Sequence, residues 1–173
     1  MLTLGHGRLD REHLAELLDA GGITEVIDVR RFPGSRTNAA AAQGAIPDLL
    51  AELELRYRWD ERLGGRRALS AEQMRESPDS WCQVPAFRAY AAWTRSPDFR
   101  AALPELLQAP ATAALMCSES VWWRCHRRLI ADVLTLEFGC PTGHLMHDGR
   151  IVKHAPSAGA RLGDDGRVVW DAA

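Results

Sequence analysis

Short apolar runs alternate along the chain with stretches in which apolar residues recur every three or four positions, a pattern that predicts strands and helices in turn. Leu2 to His6 reads as a first strand, stopped by Gly5 and Gly7. Asp10 is a natural cap for an amphipathic helix from Arg11 to Ala20, with Leu14, Leu17 and Leu18 on one face. Gly21-Gly22 ends that helix, and Thr24 to Val29 is a second strand with Asp28 among its apolar residues. A strand, a helix and a strand in so short a span is the βαβ unit of a parallel sheet. Residues 38–55 read as helical, and Arg56 to Asp60 as a third strand. Residues 68–82, polar and carrying Pro78 and Trp81, read as an excursion or lid. Helices follow at Phe87 to Thr94 and, behind the cap Ser96, at Pro97 to Leu107. Ala111 to Met116 is a buried strand, Trp122 to Phe138 a long helix stopped by Gly139, and Thr142 to Met146 a fifth strand. The turn-rich tail, residues 150–173, is an irregular C-terminal extension with a last strand at Arg167 to Trp170. The fold expected is one α/β domain over residues 1–173, an open, mostly parallel sheet of about five strands flanked by helices on both faces.

In such a sheet, the residues that end each strand gather along one edge, where open α/β sheets place their ligand sites. His6, Asp28 with Arg30, and Cys117 with Glu119 all fall there. The fourth strand is followed within twelve positions by Cys117, Ser118, Glu119, two tryptophans, Cys125, His126, Arg127 and Arg128. A helix starting nearby offers amides and a dipole that favour an anion. Two glycine-arginine loops fall at the same edge, one carrying Arg30, Arg31, Ser35 and Arg36, the other Arg66.

Composition narrows the classes. A net charge of −2 argues against a protein that coats nucleic acid by electrostatics alone, though not against local basic patches. Lys153 is the only lysine among 21 basic residues, and arginine suits bidentate contact with phosphates. No apolar run approaches membrane-spanning length, and no signal peptide is expected. Cys82, Cys117, Cys125 and Cys140 form no C-x-x-C pair, so the expected setting is a reducing cytoplasm with free thiols or ligands.

A run of motifs now stands in order: Thr3-Leu-Gly5-His6, Asp28-Val-Arg30-Arg31-Phe-Pro33 with Ser35-Arg36, Leu63-Gly64-Gly65, Phe87-Arg88-x-Tyr90, Met116-Cys117-x-Glu119 and Cys125-His126-Arg127. Over roughly residues 2–147 the chain resembles the bacterial family called domain of unknown function 488. The resemblance implies a cytoplasmic α/β domain, and it carries fold further than function. The chain departs from the family pattern at Gly7, Ala39 and Ser118.

The residues point first to a hydrolase acting on a nucleotide or on a base in DNA, most concretely a base-excision (N-glycosidic) enzyme. Arg30, Arg31, Ser35, Arg36, Arg66 and Arg127 are the candidates for binding phosphate, and Trp122 for stacking on a base. Asp28 and Glu119, with His6, are the candidates for the chemistry, since two carboxylates in unlike environments can split acid and base roles. DNA or a nucleotide is the expected partner, no membrane is, and no cofactor or metal is assigned. The alternative is a thiol- or metal-dependent enzyme built on Cys117, Cys125 and His126, or a non-catalytic anion- or nucleotide-binding module. The cysteines match no standard zinc spacing, and Cys125 is expected to serve structure more than chemistry.

Overall fold

The computed structural model describes residues 1–172. Its centre is a six-stranded sheet in the order β3-β2-β4-β1-β5-β6, formed by β1 (Leu2–Gly5), β2 (Glu25–Asp28), β3 (Arg56–Trp59), β4 (Ala113–Cys117), β5 (Gly143–Leu145) and β6 (Ile151–Lys153). All pairs are parallel except β5 with β6. A separate antiparallel pair joins β7 (Ala160–Leu162) to β8 (Val168–Trp170).

The sheet is covered on both faces because its central strands are apolar on both. Leu4, Val26, Ala114 and Met116 pack with α1 (Arg11–Ala20) and α2 (Ala45–Glu52) through Leu14, Leu17, Leu18, Ile46, Leu49 and Leu50. Ile27, Val29, Leu115 and Cys117 belong to the opposite core, with α4 (Pro85–Trp93), α5 (Pro97–Leu107) and α6 (Arg127–Phe138). The short α3 (Ala71–Glu76) buries no residue and is held by a capping box on Ser70 and Gln73.

Strand order and connectivity fix where a ligand can sit. From β1 the chain moves to β2 and β3 on one side, then returns to β4, and from β4 it passes over β1 to β5. The direction of travel reverses between β1 and β4, the topological switch point where open sheets leave a crevice at the carboxyl ends of their strands.

Several expected elements differ in detail. The helix expected over 38–55 is a 3₁₀ turn at Ala39–Ala41 and then α2, because Gly44 adopts φ +85° and starts a new helix. The helix expected from Trp122 is likewise a 3₁₀ turn at Trp122–Arg124, with α6 starting at Arg127. The segment expected as a lid is tied down near its end by buried Asp79, which ion-pairs with Arg95 and accepts the Trp170 backbone N–H. The last strand expected in the tail is β8, and the tail is otherwise more ordered than expected: it also supplies β6 and β7, and its Trp170 is fully buried.

Asp132 on α6 is what ties that tail down. It is fully buried and accepts from His154 Nε2, the Ser157 amide and hydroxyl, and Trp170 Nε1, at 2.7–2.9 Å. Each buried donor left without an acceptor costs about 1–3 kcal/mol. Asp132→Ala should therefore lower stability by roughly 3–5 kcal/mol in urea denaturation. A loss below about 1 kcal/mol would show that the tail holds itself in place without this carboxylate.

Candidate functional site at the carboxyl edge of the sheet

The parallel pairing of β1 with β4 continues past both strands. His6 N donates to Cys117 O and Gly7 N to Ser118 O, each at 3.0 Å, so His6-Gly7 runs beside Ser118-Glu119. Between these two loops lies an open cleft of about 630 Å³. The loop after β1 lines it with His6, Gly7, Arg8 and Leu9, the loop after β4 with Ser118, Glu119 and Ser120. The loop after β2 adds Ser35 and Thr37, and His147 comes in after β5. Asn38 braces the arrangement by donating to Gly7 O and Leu9 O, while Ser35 Oγ accepts from the Thr37 and Asn38 amides.

Glu119 is the only carboxylate lining the cleft among the described residues. It is half-buried, and one carboxylate oxygen receives a long 3.4 Å contact from Val121 N. His6 forms the floor and is 2% exposed. Its Nδ1–H donates to Gly7 O at 3.0 Å, which leaves Nε2 to accept from Arg30 Nη1 at 3.4 Å. Burial first, and then the Arg30 guanidinium, lower the His6 pKa to about 4, so the ring is neutral near pH 7. His147 Nε2 is fixed by Gly5 O at 2.7 Å.

Asp28 lies elsewhere. It is fully buried, grips Arg30 bidentately at 2.6–3.0 Å, and accepts the Tyr57 hydroxyl at 3.0 Å. The expectation that Asp28 shares a cleft with Glu119 is not met, because β2 is central and a carboxylate at its end must be neutralised in place. Arg30 is likewise committed to that ion pair, at 6% exposure. Asp28 acts on the cleft at one remove, by holding Arg30 against His6.

The other expected anion ligands divide. Arg31 donates to Arg66 O at 2.9 Å, joining the two glycine-arginine loops away from the residues that line the cleft. Arg36 and Arg66 are exposed and Ser35 lines the cleft. Trp122 is stacked on His144, with ring centroids 4.0 Å apart and planes 6° from parallel, so that face is closed to a base. Trp59 and Trp123 remain 45% and 47% exposed. Arg8, Thr37, Ser120 and His147 line the cleft without having been singled out in the sequence. Arg8 could have been, standing two residues after His6.

Arg127 is a frame rather than a grip. It is 1% exposed, and its guanidinium reaches the Glu119 carbonyl, Thr3 Oγ at 3.3 Å and Cys125 Sγ at 3.3 Å, with no carboxylate among these partners. The approach requires Gly5: a Cβ there would lie 1.8 Å from Glu119 O and 2.7 Å from Arg127 Nη2. Beside it, Cys117, Cys125 and His126 bring two sulfurs and an imidazole nitrogen within 4.8 Å of one another. All four cysteines are unpaired. Burial opposes ionisation of Cys125, but its hydrogen bond with Cys117 and the Arg127 charge outweigh it and bring that thiol down. Cys117, bonded to Cys125 and buried, is pushed up.

This is an α/β protein with a polar crevice at the switch point of a mostly parallel sheet. Residues 10–134 match the family described as Domain of unknown function DUF488, and the chain belongs to that family. No curated protein and no solved structure matches the chain. No helix is long and apolar enough to cross a membrane among the described residues.

The Arg127 framework makes a prediction about pH. Burial, then His154 and Arg127, depress His144 from 6.5 to about 3. The unfolded chain therefore binds a proton that the folded chain refuses across that interval. Stability is complete above about pH 6.5 and falls as pH drops through the window, by at most ~1.4 kcal/mol per pH unit for this group. Denaturation midpoints recorded between about pH 7 and about pH 4.5 should fall, and fall less in His144→Asn. Equal slopes in both proteins would remove His144 as the cause.

Proposed function

We propose that the protein is a hydrolase acting on a nucleotide or on a base in nucleic acid, with Glu119 as the group that meets the reacting bond. The observation carrying this reading is a single carboxylate beside a buried neutral histidine, in a crevice whose other polar lining is hydroxyls, one arginine and a second histidine, His147. Arg8 and the hydroxyls of Ser35, Thr37, Ser118 and Ser120 are suited to phosphate or sugar oxygens. In N-glycosidic cleavage the sugar gains positive charge as the base departs. A carboxylate held at that point stabilises the charge and orients the attacking water. With Asp28 locked to Arg30, the acid and base roles cannot be shared between two carboxylates. Glu119 therefore carries the chemistry, with His6 Nε2 as a fixed neutral neighbour. Exposed Trp59 and Trp123 are the aromatic surfaces left for an unstacked base.

The same lining supports a second reading, a module that binds an anion or nucleotide without turning it over, because one carboxylate among many hydroxyls is also a plain binding surface. Glu119→Gln separates the two. A panel of duplex oligonucleotides with modified or damaged bases, together with free nucleotides, would be scored for base release. The variant should bind as the parent does and lose release by about 10²–10⁴-fold. Release undiminished in Glu119→Gln would sink the carboxylate mechanism. Unaltered binding with no release by the parent on any substrate would leave the binding module.

A further inference from the structure

We propose that Cys117, Cys125 and His126 form a binding site for a divalent zinc-type ion. The site is separate from the cleft, and nothing in its argument depends on the reaction assigned there.

Three strands of geometry converge on it. The two sulfurs and the imidazole come from different pieces of backbone: Cys117 ends β4, while Cys125 and His126 stand immediately before α6. Their ligand atoms all lie within 4.8 Å of one another, with His126 Nδ1 at 3.9 Å from Cys117 Sγ and 3.7 Å from Cys125 Sγ. A tetrahedral zinc ion with metal–sulfur bonds of about 2.3 Å and a metal–nitrogen bond of about 2.05 Å separates sulfur from nitrogen by about 3.5 Å. The two sulfur–nitrogen spacings need only a few tenths of an ångström of contraction, and the two sulfurs, within 4.8 Å of each other, must close toward the ~3.8 Å that the same bonds impose.

The histidine is also set in the ligand tautomer. His126 Nε2 lies 3.0 Å from Val29 O, a carbonyl that can only accept, so the ring proton sits on Nε2 and the Nδ1 lone pair faces the sulfurs. A ring nitrogen fixed by a backbone carbonyl is the usual support of a metal-bound histidine. Tyr90 packs on the ring at 4.8 Å between centroids and limits its rotation. Gly65 leaves room for the ring, since a Cβ there would lie 2.8 Å from Nδ1.

The donor set selects the ion. Two thiolates and an imidazole suit zinc or another borderline-soft metal and disfavour magnesium or calcium. The thiols are 7% and 4% exposed, so an ion bound here pins the end of β4 to the start of α6 and, through Val29, to the end of β2. The Arg127 Nε–H to Cys125 Sγ contact would remain as a hydrogen bond to a coordinated thiolate. Binding forms two metal–sulfur bonds and one metal–nitrogen bond and releases to solvent whatever thiol protons remain. Three protein ligands leave a fourth position for an exogenous one.

Cobalt titrated into the reduced, metal-stripped full-length protein tests the site directly, because Co²⁺ reports thiolate ligation by charge transfer and tetrahedral geometry by its visible bands. One equivalent should give both signals, zinc should displace it, and zinc should raise the thermal midpoint. Cys117→Ser and Cys125→Ser should each weaken binding by more than about 100-fold, while Cys140→Ala leaves it unchanged. Gly65→Ala keeps every ligand and should still weaken binding by about 10–100-fold, so the site stays testable if a cysteine variant fails to fold. Absence of the charge-transfer band in the parent would overturn the proposal. So would its survival in Cys117→Ser and Cys125→Ser, or a Cys117–Cys125 disulfide in the purified protein in place of bound metal.

Discussion

The buried Arg127 guanidinium is the constraint on which the site and much of the surrounding structure depend. Taking such a charge out of water costs several kcal/mol unless every N–H is met. Here no carboxylate meets it: the partners are a carbonyl, a hydroxyl and a sulfur. Because Arg127 can only donate, Thr3 Oγ accepts from it, and the Thr3 hydroxyl proton is then free for His144 Nδ1 at 2.8 Å. The direction propagates. His144 Nε2–H donates to His154 Nδ1, and His154 Nε2–H donates to Asp132, each at 2.9 Å. A cation on one turn of α6 is thus joined to a carboxylate on the next by a one-way chain of hydrogen bonds through β1, β5 and the tail. Chains aligned in this way strengthen one another in a low-dielectric interior.

That chain explains why the tail was hard to read. Strands that bury an apolar run declared themselves, and β1, β2 and β4 fall where the hydrophobic pattern puts them. The exposed three-residue β6 carries no such pattern, since its place at the sheet edge comes from pairing with β5. His154 and Trp170 are buried through Asp132, more than twenty residues earlier in the chain. No local spacing encodes such a contact.

The site was legible in location and less so in roles, for one physical reason. Strand order carried His6 and Glu119 to adjacent loops, as a parallel sheet must. The roles of Asp28, Arg30 and Arg127 turned on burial, which the sequence does not print. An arginine two residues after an aspartate reads equally well as an anion grip or an internal ion pair. At the end of a central strand the ion pair wins, because a buried carboxylate left alone is the costlier state. Trp122 follows the same logic: a ring at the start of a helix finds His144 before it finds a ligand.

These commitments leave a division of labour across the edge of the sheet. The charges nearest β2 and β4 are spent inward, Arg30 on Asp28 and Arg127 on the Glu119 carbonyl and Cys125. One consequence is mechanical. Glu119 is held by its backbone to a buried guanidinium while its carboxylate stays nearly free, so the loop is anchored and the carboxylate oxygens are left available. Another is electrostatic. Burial, and then Arg30 set against it, keep the His6 ring neutral, so Glu119 does not face an imidazolium across the cleft. The glycine at position 5 permits the first of these, because any side chain there would displace the Glu119 carbonyl and the guanidinium together. The Thr3-Leu-Gly-His stretch is therefore one device: Thr3 and Gly5 seat Arg127, and His6 meets the cleft that Arg127 holds in shape.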